Sequence, residues 1–167
     1  MVSEEIAARR GVVRLGLIAA VVALVLAADQ TTKTWALDNL RSGPRHVIWT
    51  LQFNLTFNSG IAFSQATGST VLVTIVGLVI LSVLVVVAYR SRGTYTAAAF
   101  GLVIGGAAGN LADRLVRHHG GAVIDFIDLR WWPVFNLADA AVSIGVVLLV
   151  GGALLRGQPV KGRGDGG

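Results

Sequence analysis

The chain has 167 residues, of which 54% are hydrophobic and only 14% charged, with a mean hydropathy of +0.70; against about 25% charged residues in soluble domains, these values exclude an ordinary soluble protein and leave room for one membrane domain. There is no cysteine, which excludes disulfides, thiol nucleophiles, cysteine metal sites and modification of the chain itself as a lipoprotein. The net charge of +5 forms no basic run interleaved with aromatics, so nucleic acid is not an expected partner, and attraction of the loops to anionic lipid headgroups is.

A membrane-spanning helix needs about 20 mostly apolar residues, and four segments qualify or nearly do. The first is Leu15 to Ala28, extended back to Gly11 if Arg14 reaches the interface along its aliphatic stem. It resembles a signal peptide, but Leu26 breaks the small-x-small cleavage pattern before Ala28, so a retained helix is expected. The second lies within Ser64 to Tyr89, and the third is Gly93 to Ala112. The fourth is Ala140 to Leu155, extended through Asn136 if Asp139 lies at the boundary. Residues 1–156 form one expected four-span domain. The Gly-rich, charged tail 157–167 is expected to be disordered.

Arg9, Arg10 and Arg14, the connection Arg90-Ser-Arg92, and Arg156, Lys161 and Arg163 all fall on one side of a four-span chain. Basic flanks mark the cytoplasmic side, so both ends are placed inside and the longer loops, about 29–69 and 113–135, outside. The third span carries Gly101, Gly105 and Gly109 at four-residue spacing. This pattern lets helices approach closely in lipid, and it is read as packing without chemistry.

The informative residues are acids at membrane boundaries, which are costly there and point to function. Asp125 lies in Ala-Val-Ile-Asp-Phe, and Asp139 lies in Phe-Asn136-Leu-Ala-Asp. Two carboxylates brought together can share a proton and drive acid–base chemistry on water. Asn136 with Asp139 also reads as a capping box, which is compatible with that role. Alternation in Asp125-Phe-Ile-Asp128 suits a short strand with its acids facing solvent, and spacing alone leaves Asp128 a competitor of Asp125. Asp113 ends the third span, where it opposes the helix dipole and needs a partner, Arg114 or Lys33. Arg114 offers a planar donor fork suited to a carbonyl, phosphate or carboxylate. Adjacent His118 and His119 lack helical ligand spacing and a third ligand, so no metal is expected. A Ser–Lys hydrolase would have to unite Lys33 with Ser59 or Ser64.

Taken in order, Ala28-Asp29-Gln30-x-x-Lys33, Asn58-Ser-Gly60-Ile-Ala62-Phe63, Gly109-Asn110-x-x-Asp113-Arg114, Val123-Ile124-Asp125-Phe126 and Phe135-Asn136-x-Ala138-Asp139 resemble the motifs of the lipoprotein signal peptidases, or signal peptidase II, bacterial membrane aspartic proteases. The resemblance runs over about residues 11–156. It implies an all-α membrane fold of four transmembrane helices, with a small extracytoplasmic β-cradle supplied mostly by Thr34 to Phe63, and a short outer helix. It implies cleavage of a diacylglyceryl-modified prolipoprotein just before its lipidated cysteine, with Asp125 and Asp139 as the catalytic pair in preference to Asp128. Asn58, Gly60, Asn110, Arg114 and Asn136 match positions that line or support the substrate site. Asp29 and Lys33 match the first motif and take an organising role, as does Asp113. No metal or organic cofactor is implied. The expected partners are the prolipoprotein substrate and membrane lipids, and the expected state is a monomer in the bacterial plasma membrane. Against the family's usual pattern, Ile124 replaces Val, Leu115–Ile124 looks longer and Phe126–Ala138 shorter, which touches loop contacts and substrate preference.

Two other classes fit parts of the chain. A small proton-coupled transporter would also place acids in a bundle, but nearer mid-span and commonly with an inverted repeat. A non-catalytic scaffold explains the glycines and leaves the Asn, Asp and Arg cluster unexplained.

Overall fold

The computed structural model describes residues 2–60 and 67–156. Ile61 to Phe63 of the second motif and the whole expected tail 157–167 lie outside the described residues, as does Ser64. The chain runs α1 (Val2–Asn39), β1 (Arg45–Ile48), β2 (Leu51–Asn58), α2 (Thr67–Arg90), α3 (Thr94–Val116), β3 (Val123–Asp128) and α4 (Leu137–Arg156). Four of its helical stretches, Ala8–Asn39, Thr70–Arg90, Thr94–Val116 and Leu137–Leu155, are long and apolar enough to cross a membrane. Among the described residues there is no short outer helix.

The first helix corrects the expected boundary. It does not stop near Ala28 but continues unbroken to Asn39, a length of 38 residues. The continuation, Asp29 to Asn39, is polar enough to read as a loop. It stays helical because Asp29, Lys33, Ala36 and Leu40, spaced about one turn apart, form a buried stripe on α1 and just beyond its end. The β-cradle therefore begins at Arg45, and nothing of it comes from Thr34 to Asn39.

α3 is the central helix. More than half of its apolar window is buried, against 6% for α2, and it packs against α1, α2 and α4. Its small residues make this possible. A Cβ added at Gly101 would lie 2.7 Å from Val21 Cβ, and one at Gly105 would lie 2.8 Å from Val25 Cβ. Gly106 faces the other way, against the Ala138 carbonyl of α4. The backbones have come together where side chains were removed, as packing in lipid requires. α2 instead exposes Val71, Ile75, Val79, Val83 and Val86, the surface of a helix in contact with lipid tails.

At one end of the bundle, the Arg14 guanidinium donates to the carbonyls of Ser91 and, at 2.9 Å, Tyr89. Those carbonyls end α2, where a cation is favoured. Arg14 thus closes the α2–α3 connection instead of simply reaching out to headgroups. The opposite end carries an antiparallel sheet in the order β1-β2-β3. It is fastened to the end of α1 by Ala36, Leu40 and Phe126, with Phe53, Leu55 and Ile127 packed around them. Trp35 stands edge-on to Phe53 and Phe126 at 5.3 and 6.3 Å.

Candidate active site

The site lies where the sheet meets the bundle. β3 pairs with β2 in a register that sets Asp125 opposite Thr56 and Val123 opposite Asn58. After β3 the chain folds back, and Phe135 exchanges backbone hydrogen bonds with Ile127. This return brings Asn136, the residue before α4, beside Asp125. Asn136 then caps α4: Asp139 N–H donates to Asn136 Oδ1 at 2.9 Å, and Asn136 N–H donates to Asp139 Oδ2 at 3.2 Å. The reciprocal capping box read from the sequence is present, and it is also part of the site.

From that position the Asn136 amide donates to Asp125 Oδ1 at 2.7 Å. One residue therefore hydrogen-bonds both carboxylates. Asn110 of α3 donates to Asp139 Oδ1 at 2.7 Å, and Asn58 donates to Asp125 Oδ2 at 2.9 Å. The Asn58 side chain is held by Gly60 N–H at 2.8 Å, in a turn where Gly60 has φ +82°, a conformation that favours glycine. A Cβ at Gly60 would also press on Arg114 Nη2 at 3.2 Å.

Asp125 is 1% exposed. Burial, helped by the nearby Asp139 charge, pushes its carboxyl up to about 6 against the donors from Asn58 and Asn136. The expectation that the strand acids face solvent is overturned: Asp128 is also buried, at 8% exposed. Three residues from Asp125, it falls on the opposite side of the pleat. Its partners are Gln52, Asn54 and the Arg130 N–H, and these donors, Gln52 foremost, hold it below the ordinary carboxylate range.

Behind the carboxylates stands a buried ionic cluster. Lys33 Nζ lies 2.8 Å from Asp29 and 2.9 Å from Asp113, all three side chains fully buried. Between the two partners open for Asp113, Lys33 is the one, with Arg117 adding a contact at 3.4 Å. Asp113 also accepts the Ile124 N–H at 3.0 Å, and Asp29 accepts the Ala138 N–H at 3.0 Å, so each acid grips the backbone beside one of the two site aspartates. Gly109 belongs here as well, since a Cβ on it would meet Asp29 Oδ2 at 2.5 Å. Its role is more than helix packing. With Lys33 enclosed by carboxylates, it is not a base for Ser59. Two residues complete the cluster: Gln30, quoted in the first motif but given no role there, which donates to Asp29, Asp113 and the Gly109 carbonyl, and Arg117, absent from the sequence reading, which donates to Gln30. The spacing of Arg117 four residues after Asp113 was the available signal.

Arg114 Nη1 donates to the Asn110 carbonyl at 3.2 Å, while its Nε is buried with no partner among the described residues. It borders a hollow of about 590 Å³ against Thr70, Thr74 and Leu78 of α2. A second hollow of about 410 Å³ ends at Asp139 and is walled by Trp131, Trp132, Phe135 and Ile144. Apolar grooves thus reach the polar site from both flanks. His119 lies against Phe57 at 5.0 Å.

Four spans and a carboxylate-bearing pocket at one end of the bundle define the class, a multi-pass membrane enzyme equipped for acid–base chemistry. The family profile described as signal peptidase (SPase) II matches residues 21–155. The chain belongs to the signal peptidase II family and is an aspartic peptidase. It is 41% identical to a lipoprotein signal peptidase of Rhodococcus jostii (76% of this chain, 67% of that one). It is 42% identical to those of Mycobacterium avium (82% and 78%) and Mycolicibacterium smegmatis (82% and 60%). A bacterial membrane enzyme solved by the in meso method at 2.3 Å superposes with a TM-score of 0.75 at 28% identity, over 91% of this chain and 95% of that one. Family membership sets aside the transporter and scaffold readings.

Proposed function

We propose that the chain removes the signal peptide from diacylglyceryl-modified prolipoproteins, cutting just before the lipidated cysteine, with Asp125 and Asp139 activating water. The observation that carries this reading is the double engagement of Asn136, whose amide meets Asp125 and whose backbone meets Asp139. Carboxylates held near each other resist double ionisation, so one proton is shared across the pair. The ionised member takes a proton from water, which attacks the scissile carbonyl. The protonated member donates to the carbonyl oxygen and then serves the leaving amine. Asn58, Asn110 and Asn136 aim donors at the pair, which keeps the carboxylates fixed while the proton moves. Arg114 and Gly60 border the space left for the substrate backbone.

Residues 1–156 work as one domain, a monomer in the bacterial plasma membrane with both ends inside and the site at the outer face. The substrate's acyl chains stay in lipid, each buried methylene contributing about 0.8 kcal/mol, while the peptide rises to the aspartates. The test is cleavage of a diacylglyceryl-modified prolipoprotein peptide by purified protein in detergent. Asp125→Asn and Asp139→Asn are each expected to lower the rate by on the order of 10³-fold with the fold intact, and Asp128→Asn is expected to change it little. A folded wild type that leaves the peptide uncut, or a dyad variant that still cuts it, would sink the proposal.

A further inference from the structure

We infer that Lys33 is a positioning residue for the carboxylate pair: its ammonium fixes and polarises the Asn110 carboxamide so that an N–H donor stays on Asp139. The inference rests on the peptidase reading above and adds an atom-by-atom path to it. An ammonium has three protons and no acceptor. Those of Lys33 are directed at Asp29 Oδ2, Asp113 Oδ2 and, at 3.0 Å, Asn110 Oδ1. The third contact is unlike the other two, because it satisfies no buried acid.

The polarity of the amides follows from two donors that cannot be reversed. At one end, Asp139 N–H requires an oxygen and finds Asn136 Oδ1. The Asn136 NH2 group must then face Asp125 and Asn110, and it donates to Asn110 Oδ1 at 3.0 Å. At the other end, Lys33 requires an oxygen and finds the same Asn110 Oδ1. With that oxygen fixed, Asn110 Nδ2 is left facing Asp139 Oδ1 at 2.7 Å. A donor at that oxygen favours the ionised carboxylate. Of the two bonds to Asn110 Oδ1, the charge-assisted one is the stronger, and it pulls electron density away from the amide and strengthens donation at the far end.

The other charged groups around Asp139 are accounted for on each neighbouring element. β3 presents Asp125, and α3 presents Arg114 with Asp113 behind it. α1 presents Lys33 and Asp29, and Arg117 is spent on the rear of Asp113, Gln30 and Thr34. The described part of α2 brings Thr70 and Thr74 to this end, neither titratable at working pH. Among the described residues, Lys33 is the cation that reaches Asp139 through a hydrogen-bonded side-chain amide.

Removing Lys33 alone would leave two buried acids short of a cation, so the test uses neutral pairs. Asp29→Asn with Lys33→Met keeps the net charge and retains an oxygen for Ala138 N–H. Lys33→Met with Asp113→Asn is the second pairing, and Asp29→Asn alone keeps the ammonium. The measurement is the pH profile of kcat and KM for cleavage, beside thermal unfolding in detergent. Each neutral pair is expected to move the acid limb of kcat/KM up by about one unit, as loss of one good donor implies, with kcat below that limb about tenfold lower and KM little changed. Asp29→Asn alone, which keeps the ammonium, is expected to move the limb less than either neutral pair does. A folded neutral pair whose profile superimposes on wild type, however much its melting temperature drops, would overturn the inference and leave Lys33 structural. Wild-type protein that fails to cleave would instead remove the peptidase reading itself.

Discussion

Asp125 carries a stability cost that its proposed place in the catalytic pair would explain. Its carboxyl titrates near 6 in the fold against an ordinary value of 3.8, so the folded state holds the proton more tightly than the unfolded chain. The raised value means that stability is greatest below about 4 and falls as pH rises through 6, by about 3 kcal/mol for a displacement of about two units. Asp125→Asn should therefore raise the melting temperature at pH 7.5 while having little effect at pH 4, a stabilisation bought with activity; equal shifts at both pH values would show that the residue is not protonated as described. The pair itself was legible in the sequence only in part. Asp139 stood out through its capping box, because Asn-x-x-Asp before an apolar run has a local meaning. Asp125 and Asp128 could not be separated by alternation. The motif resemblance preferred Asp125, and the pleat turns it toward Asn58 and Asn136 and Asp128 toward Gln52 and Asn54. Gln30 and Arg117 were hidden for a related reason. The i,i+4 spacing signals only the contact of Arg117 with Asp113, and nothing local announces the bonds from Gln30 to Asp113 and from Arg117 to Gln30, which cross between helices.

Among the elements, α2, α3 and α4 were readable from uncharged runs because lipid demands them, and the glycine pattern on α3 correctly marked close packing. α1 was not readable past Ala28. Its continuation buries polar groups against other polar groups, and hydropathy registers that as loop. The glycines give a direct check at this scale. Gly105→Val would drive its side chain into Val25 and is expected to destabilise by roughly 1–3 kcal/mol, as overpacking does, lowering the melting temperature and the yield of folded protein. Gly16 has nothing within 4 Å of an added Cβ, so Gly16→Ala should be neutral or gain up to about 1 kcal/mol from helix propensity. Equal behaviour of the two variants would contradict the packing assigned to α3.

For the whole molecule, the two ends of the bundle differ in kind: Arg14 and the α2–α3 connection at one, the sheet and the acids at the other. With no native cysteine, single cysteines can report sidedness in intact cells. Ser42→Cys, near the sheet, should react with a membrane-impermeant maleimide from outside. Thr94→Cys, at the start of α3, should react only after permeabilisation, and the reverse pattern would invert the proposed orientation. One consequence follows from the unbroken course of α1. The same helix holds the acids through Asp29 and Lys33 and the sheet through Ala36 and Leu40, so the two are locked in angular phase. One residue inserted between Lys33 and Ala36 would swing the sheet platform by about 100° around the axis and take Asn58 away from Asp125. Length can drift in the connections that follow α3 or β3, but in this stretch of α1 the chain keeps time like a gear, and a single added tooth would disengage it.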